Sequence, residues 1–295
     1  ISELDVSMIW RTRKNEKRGA IDLSSSAVVM GILNVTPDSF SDGGEFSTLE
    51  LAMIRAQKMR DEGAHIIDVG GESTRPGAVA VSVDEELARV LPVILALRSL
   101  VEFDDIYISV DTSKSAVACE AIKAGADIVN DVSGFTADQQ MAVVCAAEGV
   151  GVVVMHMQGT PETMQDDPSY EDVVDELGRF FAERLKTLTD AGIAKECIIF
   201  DPGIGFGKTD AHSLELLANI GELSVSGRPV LLGVSRKSIF GRLLEIENPI
   251  ERDAATIAMT TLARRNGCML HRVHNVKGNH DALKMTERLI AVTTR

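Results

Sequence analysis

The sequence predicts a single α/β domain folded as a (β/α)8 barrel (a TIM barrel), with its active site at the C-terminal ends of the strands. Three observations predict it. Eight short apolar, β-branched runs alternate with segments of helical spacing, the pattern of a parallel sheet buried on both faces. The units average about 33 residues, which suits a closed barrel better than an open doubly wound sheet, the alternative architecture. Each run gives way to Asp, Asn, Glu, His, Lys or Arg, and a barrel gathers all its strand ends around one cavity.

Strand 1 is Val28 to Leu33, followed by a polar loop from Asn34, because Pro37 removes a ladder donor and Asp38, Ser39, Asp42, Gly43 and Gly44 are turn residues. Leu49 to Glu62 has helical spacing and closes at Gly63. His65 to Val69 is strand 2, opening into a second loop from Gly70 to Gly77. Val83 to Leu100 is a helix with Asp84, Glu85 and Glu86 where the macrodipole favours negative charge. Strands at Ile106 to Val110, Asp127 to Val129, Val150 to Met155 and Cys197 to Phe200 alternate with helices at Ser115 to Ala124, Asp138 to Glu148 and Tyr170 to Ala191. Helix 6 spans about Ser213 to Ile220 and strand 7 is Pro229 to Val234, followed by a short extra helix before Asn248. Helix 7 at Arg252 to Asn266, strand 8 at Cys268 to Val273 and helix 8 at Asp281 to Val292 complete the series. The domain spans residues 21–295, and residues 1–20, with five cationic side chains and one aromatic, are expected to be a solvated lead-in rather than a nucleic-acid arm.

A net charge of −14 and pI near 4.9 argue against nucleic acid or an anionic membrane as partner, so an anionic substrate needs a local cationic cluster. No apolar run is long enough for a membrane span, and a cytoplasmic protein is the expectation. The four cysteines, Cys119, Cys145, Cys197 and Cys268, form no Cys-x-x-Cys pair and suit reduced thiols in a core.

Two glycine-bearing loops need testing against nucleotide motifs. In Gly203 to Thr209 the first glycine of a Walker A would fall on Pro202, and the third glycine of a dinucleotide fingerprint would fall on Lys208, so both are rejected. His271 and His274, three apart on a strand, face opposite ways and make a poor metal pair. Arg272 and His274 share a face and would form, beside Arg236 and Lys237, the anion site that barrels often place between strands 7 and 8; surface cations are the plainer alternative. Asn34, Glu72, Asp111, Asn130, His156, Asp201, Lys237 and His274 would form one ring around the cavity. Asp111 and Asp201 suit the N–H edge of a heterocycle, although a carboxylate at a strand end can be only a helix cap. The Asn34 amide oxygen suits Mg²⁺ shared with phosphates. Met155 and Phe206 are either core or walls for a flat ring.

Six stretches carry a resemblance: Met30 to Gly44, Ile67 to Gly77, Ser109 to Lys114, Asp201 to Lys208, Ser235 to Ser238 and Arg272 to His274. With these in order the chain resembles the bacterial dihydropteroate synthases, from about Val28 to the C-terminus. The resemblance implies the barrel and the joining of (7,8-dihydropterin-6-yl)methyl diphosphate to 4-aminobenzoate, with diphosphate released, in folate biosynthesis. It implies that Asp111, Asn130, Met155, Asp201, Lys237 and Arg272 bind the pterin, and that Asn34, Arg75, Arg272, His274 and Mg²⁺ hold the diphosphate, with Asn34 the metal ligand. Thr36, Phe40, Thr74, Pro76, Phe206 and Ser238 would form the 4-aminobenzoate pocket, with Asp42 on a loop that closes over it. Asp111, Arg75, Lys237, Arg272 and His274 would carry the chemistry, without a covalent nucleophile. A homodimer and a response to sulfonamides are likewise implied. Asn275 stands where an Asp is common in that family, and could orient His274 without supplying charge. Two rivals remain on the same pocket, a methyl transfer from a methylated folate to a corrinoid protein and a non-catalytic pterin carrier.

Overall fold

The computed structural model describes residues 8–13, 18–36, 48–73 and 78–293. It begins with an antiparallel hairpin, β1 (Ile9–Arg11) and β2 (Ala20–Asp22). Eight parallel strands follow: β3 (Val28–Asn34), β4 (Ile66–Gly70), β5 (Tyr107–Asp111), β6 (Ile128–Asp131), β7 (Gly151–Met155), β8 (Ile198–Asp201), β9 (Leu231–Leu232) and β10 (Leu270–Val273). From β3 to β8 each strand pairs with the next, β10 pairs with both β3 and β9, and a parallel bridge between Phe200 and Val230 closes the cylinder. The barrel is therefore the predicted one.

Helices α1 (Thr48–Asp61), α2 (Val83–Ser99), α3 (Ser115–Ala124), α4 (Gln140–Glu148), α5 (Val173–Asp190), α6 (Asp210–Ala218), α7 (Ser238–Leu244), α8 (Asp253–Arg265) and α9 (Val276–Thr293) connect the strands. Their ends follow from local chemistry. The Ser82 side chain accepts from the Glu85 amide, and Asp172 accepts from the amides of Val174 and Asp175, satisfying first-turn donors that have no helical partner. Two helices that start earlier than the sequence expectation do so for the same reason. Helix α6 starts three residues early because Thr209 and His212 form a capping box. Helix α9 starts five residues early because the Asn275 side chain accepts from the Gly278 amide at 3.0 Å, so a glycine that reads as a breaker sits in a capped first turn.

The barrel interior has an apolar floor, to which seven strands contribute one buried residue each: Met30, Ile66, Ile128, Val153, Ile199, Leu231 and Leu270. Tyr107 packs against it from the remaining strand. The hairpin covers this floor from outside, with Trp10, Ile21 and Leu23 in the same cluster and Trp10 Nε1 donating to the Cys197 carbonyl at 2.8 Å.

This corrects the expectation of a solvated lead-in. Trp10 is fully buried, and Arg18 is used inward rather than displayed. Arg18 pairs with Asp127 at 3.2 Å, Arg98 pairs with the other oxygen of Asp127, and the Ile108 amide donates to the same side chain at 3.0 Å. Burial pushes the Arg98 guanidinium down to about 10 against the opposing pull of Asp127. Asp127→Ala strands two buried cations and one amide, so it is expected to lower unfolding free energy in urea by about 3–5 kcal/mol; a loss under about 1 kcal/mol would mean the cluster is effectively solvated.

Candidate active site

On a barrel strand alternate residues point inward, so the second residue after each floor position enters the cavity one layer higher. Counting from the floor gives Ile32 on β3, Asp68 on β4, Ser109 on β5, Asn130 on β6, Met155 on β7, Asp201 on β8, Gly233 after β9 and Arg272 on β10. Two residues further on come Asn34, Gly70, Asp111 and His274 at the rim. A pleat of period two therefore turns an apolar floor into a polar cup.

Contacts join these side chains across the barrel. Arg272 Nε donates to Asp68 at 2.6 Å and Nη2 donates to Asp111 at 2.6 Å, while Asn130 Nδ2 donates to the same Asp68 oxygen at 3.1 Å. A methyl group placed on Gly70 would lie 3.5 Å from both Asn34 Oδ1 and Asp111 Cβ, so the three residues crowd one sector of the rim. Asp201 accepts from the Gly203 amide at 2.7 Å, and a methyl group on Gly233 would come within 3.1 Å of its other oxygen. Lys237, on the loop after β9, has its ammonium 4.0 Å from the centre of the Phe206 ring and donates to the Ile204 carbonyl. Met155 pairs in register with Asp201 and is almost fully buried.

Burial decides the charges. It raises the Asp111 carboxyl against the lowering effect of Arg272, with Asp68 pushing the same way as burial. It raises Asp201 too, opposed by Lys237 and the Gly203 amide. Lys237 is pushed down to about 7, with Asp201 resisting. Burial also works against Arg272, but Asp68 and Asp111 hold its guanidinium firmly charged. For His274, burial and the nearby Arg236 and Arg272 depress the imidazole to about 3. Ser235 Oγ accepts from the His274 amide at 3.1 Å and lies 2.9 Å from Nδ1, so the hydroxyl holds the ring by both its backbone and its Nδ1 edge and leaves Nε2 toward the cavity. His274 is thus a neutral imidazole at the rim.

Several sequence expectations are corrected. Arg236 does not join the anion site, since its guanidinium is forked onto Asp253 at 2.6 and 2.8 Å. Asn275 does not orient His274; its side chain donates to Asp253 and caps α9. His156 leaves the ring, because it is buried against Phe180 with Nδ1 2.9 Å from Lys208 Nζ. Glu72 leaves it too, accepting from Lys114 at 2.6 Å and from the Val81 amide at 2.7 Å. Thr36 is half-buried just beyond the end of β3, and Ser238 is exposed at the start of α7. Phe40, Asp42, Thr74, Arg75 and Pro76 lie outside the described residues. The sequence reading missed Asp68 and Ser235 as partners of Arg272 and His274. The signal for Asp68 was present, an aspartate alone inside the apolar strand Ile66–Gly70.

The cup can grip a flat heterocycle by its N–H edge with carboxylates, cover its face with a guanidinium, and hold an anion at the rim. A family model described as pterin binding enzyme matches residues 30–274. The chain is also 47% identical over 273 residues to the dihydropteroate synthase of Escherichia coli, covering 92% of this chain and 94% of that protein. The chain belongs to the dihydropteroate synthase family. The dihydropteroate synthase of Bacillus subtilis is 44% identical over 274 residues, covering 93% of this chain and 92% of that one. Among solved structures, the Yersinia pestis dihydropteroate synthase with a sulfonamide drug complex superposes with a TM-score of 0.87 at 43% identity, covering 96% of this chain and 99% of that chain. The Xanthomonas albilineans dihydropteroate synthase in complex with 7,8-dihydropteroate gives 0.83 at 41% identity, covering 92% and 96%. Among the described residues no helix is long and apolar enough to cross a membrane.

Proposed function

We propose that the chain is a dihydropteroate synthase, joining (7,8-dihydropterin-6-yl)methyl diphosphate to 4-aminobenzoate with release of diphosphate. The observation that carries this reading is the convergence of Asn34, Asp111, Asn130, Asp201, Lys237, Arg272 and His274, drawn from the ends of six separate strands, on one barrel mouth. In this reading Asp201 and Asn130 take the amino and N–H edge of the pterin, and Lys237 donates to its carbonyl oxygen. Asp111 contacts the opposite side of the ring. Met155 and Phe206 supply apolar walls, the latter continuing into the 4-aminobenzoate pocket with Thr36, Phe40, Thr74, Pro76 and Ser238. Arg272 lies on the ring face and reaches the diphosphate with Arg75, Asn34 and His274 Nε2; Asp42 belongs to the loop that closes over the site.

The residues fit a shared Mg²⁺. Asn34 Oδ1 is a hard oxygen at the rim with no hydrogen bond to a described residue, and no cluster of three His, Cys, Asp or Glu exists among the described residues to cage an ion. That donor set suits an ion held mainly by substrate phosphates. When bound, the ion neutralises charge on the departing diphosphate. The protein's own part is electrostatic. Departure of diphosphate leaves a cation on the pterin methylene, delocalised into the ring, and the aromatic amine attacks it. Arg272 and Arg75 stabilise the leaving charge while Asp111 stabilises the ring, in a site from which water is excluded.

The test is incubation of the protein with the pterin diphosphate, 4-aminobenzoate and Mg²⁺. Equimolar dihydropteroate and diphosphate are expected. Demethylation of a methylated folate by a corrinoid protein would favour the methyltransferase, and tight pterin binding without product would favour a carrier. Arg75→Ala is expected to leave pterin affinity within about twofold while reducing turnover by about 10²–10³-fold, the usual loss of one charge-stabilising donor. Equal damage to both would contradict its assignment to the leaving group. The same reading includes a cytoplasmic location and pairing of two copies through helices on one side of the barrel. Exposed Leu262 on α8 and Met285, Leu289 and Val292 on α9 support the pairing, and sedimentation would test it.

A further inference from the structure

Asp68 is the most deeply placed charged group of the cup, fully buried beneath the rim, and nothing in the pterin assignment above uses it. Among the described buried aspartates, Asp68 and Asp111 differ from the rest in what they hold. Asp127 accepts from the Ile108 amide, Asp131 from the amides of Ser133 and Phe135, and Asp201 from the Gly203 amide, so each of those fastens backbone. Asp68 fastens none among the described residues. Its Oδ2 takes Arg272 Nε at 2.6 Å and Asn130 Nδ2 at 3.1 Å, and its Oδ1 has no partner among the described residues. The hydrogen bonds it accepts come only from two side chains that the proposed function assigns to the pterin.

We infer that Asp68 is a positioning residue that sets the plane of the Arg272 guanidinium and the orientation of the Asn130 amide for the pterin ring. This rests on the proposed synthase function. An ionised carboxylate can only accept, so it draws the NH2 end of Asn130 downward and repels the carbonyl end. The Asn130 oxygen is thereby turned to the cavity as an acceptor, which selects a ring edge carrying N–H donors over one carrying lone pairs. For Arg272 the two carboxylates sit on adjacent strands, with Asp68 on Nε and Asp111 on Nη2. Two fixed points define the guanidinium plane, and Nη1, with no hydrogen bond to a described residue, remains for an anion. Asp111 alone would leave the plane free to rotate about one bond.

A double-mutant cycle tests this in the full-length protein. Asp68→Asn keeps the size of the side chain but replaces the charged acceptor that Arg272 and Asn130 share with a neutral amide oxygen, which weakens the hold on both. Dihydropterin affinity, measured by calorimetry, is expected to fall about tenfold in Asp68→Asn and about tenfold in Asn130→Ala, with the double variant losing clearly less than the product of the two because part of the Asp68 contribution passes through Asn130. The KM for 4-aminobenzoate should stay within about twofold in Asp68→Asn, since its pocket is built from other elements. Multiplicative losses in the double variant, or an unchanged affinity in Asp68→Asn, would overturn the inference and leave Asp68 a structural residue. Should Asp68→Asn fail to fold, Asp68→Ser, which keeps a small polar group, carries the same cycle to the same two outcomes. A wild-type protein that binds no dihydropterin overturns the proposed function instead, so the two failures are distinguishable.

Discussion

Asp201→Asn is expected to reduce dihydropterin affinity by at least about 100-fold while leaving the protein folded. Asp201 is 5% exposed, one oxygen is held by the Gly203 amide at 2.7 Å, and the other faces the space that Gly233 leaves open. A pterin edge presents N–H donors side by side, and each charge-assisted bond to a carboxylate contributes about 1.5–3 kcal/mol. Asparagine replaces one acceptor with a donor, so a contact becomes a donor facing a donor. A second loss follows through Lys237. Its ammonium is already pushed down to about 7 by burial, with Asp201 resisting, and removing that charge lowers it further. At neutral pH the variant would present an uncharged amine to the pterin carbonyl oxygen. Calorimetry with dihydropterin checks this; affinity within about threefold of wild type would mean that the ring lies elsewhere.

Arg272 is the second position of large effect, because it serves stability and chemistry together. Arg272→Ala leaves Asp68 and Asp111 close together in a buried barrel without a cation between them. Breaking one side of such a cluster costs about 3–5 kcal/mol, and turnover should fall about 10²–10³-fold as the charge facing the leaving group disappears. Raised by burial and relieved only by Arg272, the Asp111 carboxyl would go higher still and take up a proton more readily. Arg272→Lys separates the two contributions. A lysine restores a positive charge between the carboxylates, so much of the unfolding free energy should return. It cannot hold two fixed points and lie flat on a ring, so turnover should stay near that of the alanine variant. Recovery of turnover in Arg272→Lys would show that only charge, and not the planar fork, matters.

The fold was legible because strand burial and helical spacing each leave a periodic trace, and because parallel strands must be apolar on both faces. All eight barrel strands lie where the apolar runs are. Boundaries were less legible where a capping residue outweighs propensity, as at Thr209 and Asn275. The hairpin escaped because three-residue strands carry no period, and Arg18 reads as a surface charge until Asp127 is seen beside it. In the site, residues ending a strand could be found from sequence, since a polar residue after an apolar run is conspicuous. Their pairings could not. That Arg236 turns to Asp253 while Arg272 spans Asp68 and Asp111 depends on which side chains meet in space. For the same reason Glu72 and His156, both polar residues just beyond strands, read as ring members although each is engaged by a lysine next to a loop.

The account's central claim is that the cup separates charge at the pterin methylene, pulling diphosphate from carbon so that the amine meets a cation. The most direct measurement uses the pterin diphosphate labelled with oxygen-18 at the oxygen joining the methylene to phosphorus, incubated with the protein and Mg²⁺ without 4-aminobenzoate, with the position of the label read in recovered substrate. The account predicts that the label spreads to non-bridging oxygens of the same phosphorus, because reversible departure of diphosphate lets its oxygens exchange places before the carbon–oxygen bond re-forms. Label that stays wholly in the bridging position, in a protein that turns over once 4-aminobenzoate is added, would mean that no cation forms ahead of the amine, and would contradict the assignment of Arg272, His274 and Asp111 to opposite ends of a breaking carbon–oxygen bond.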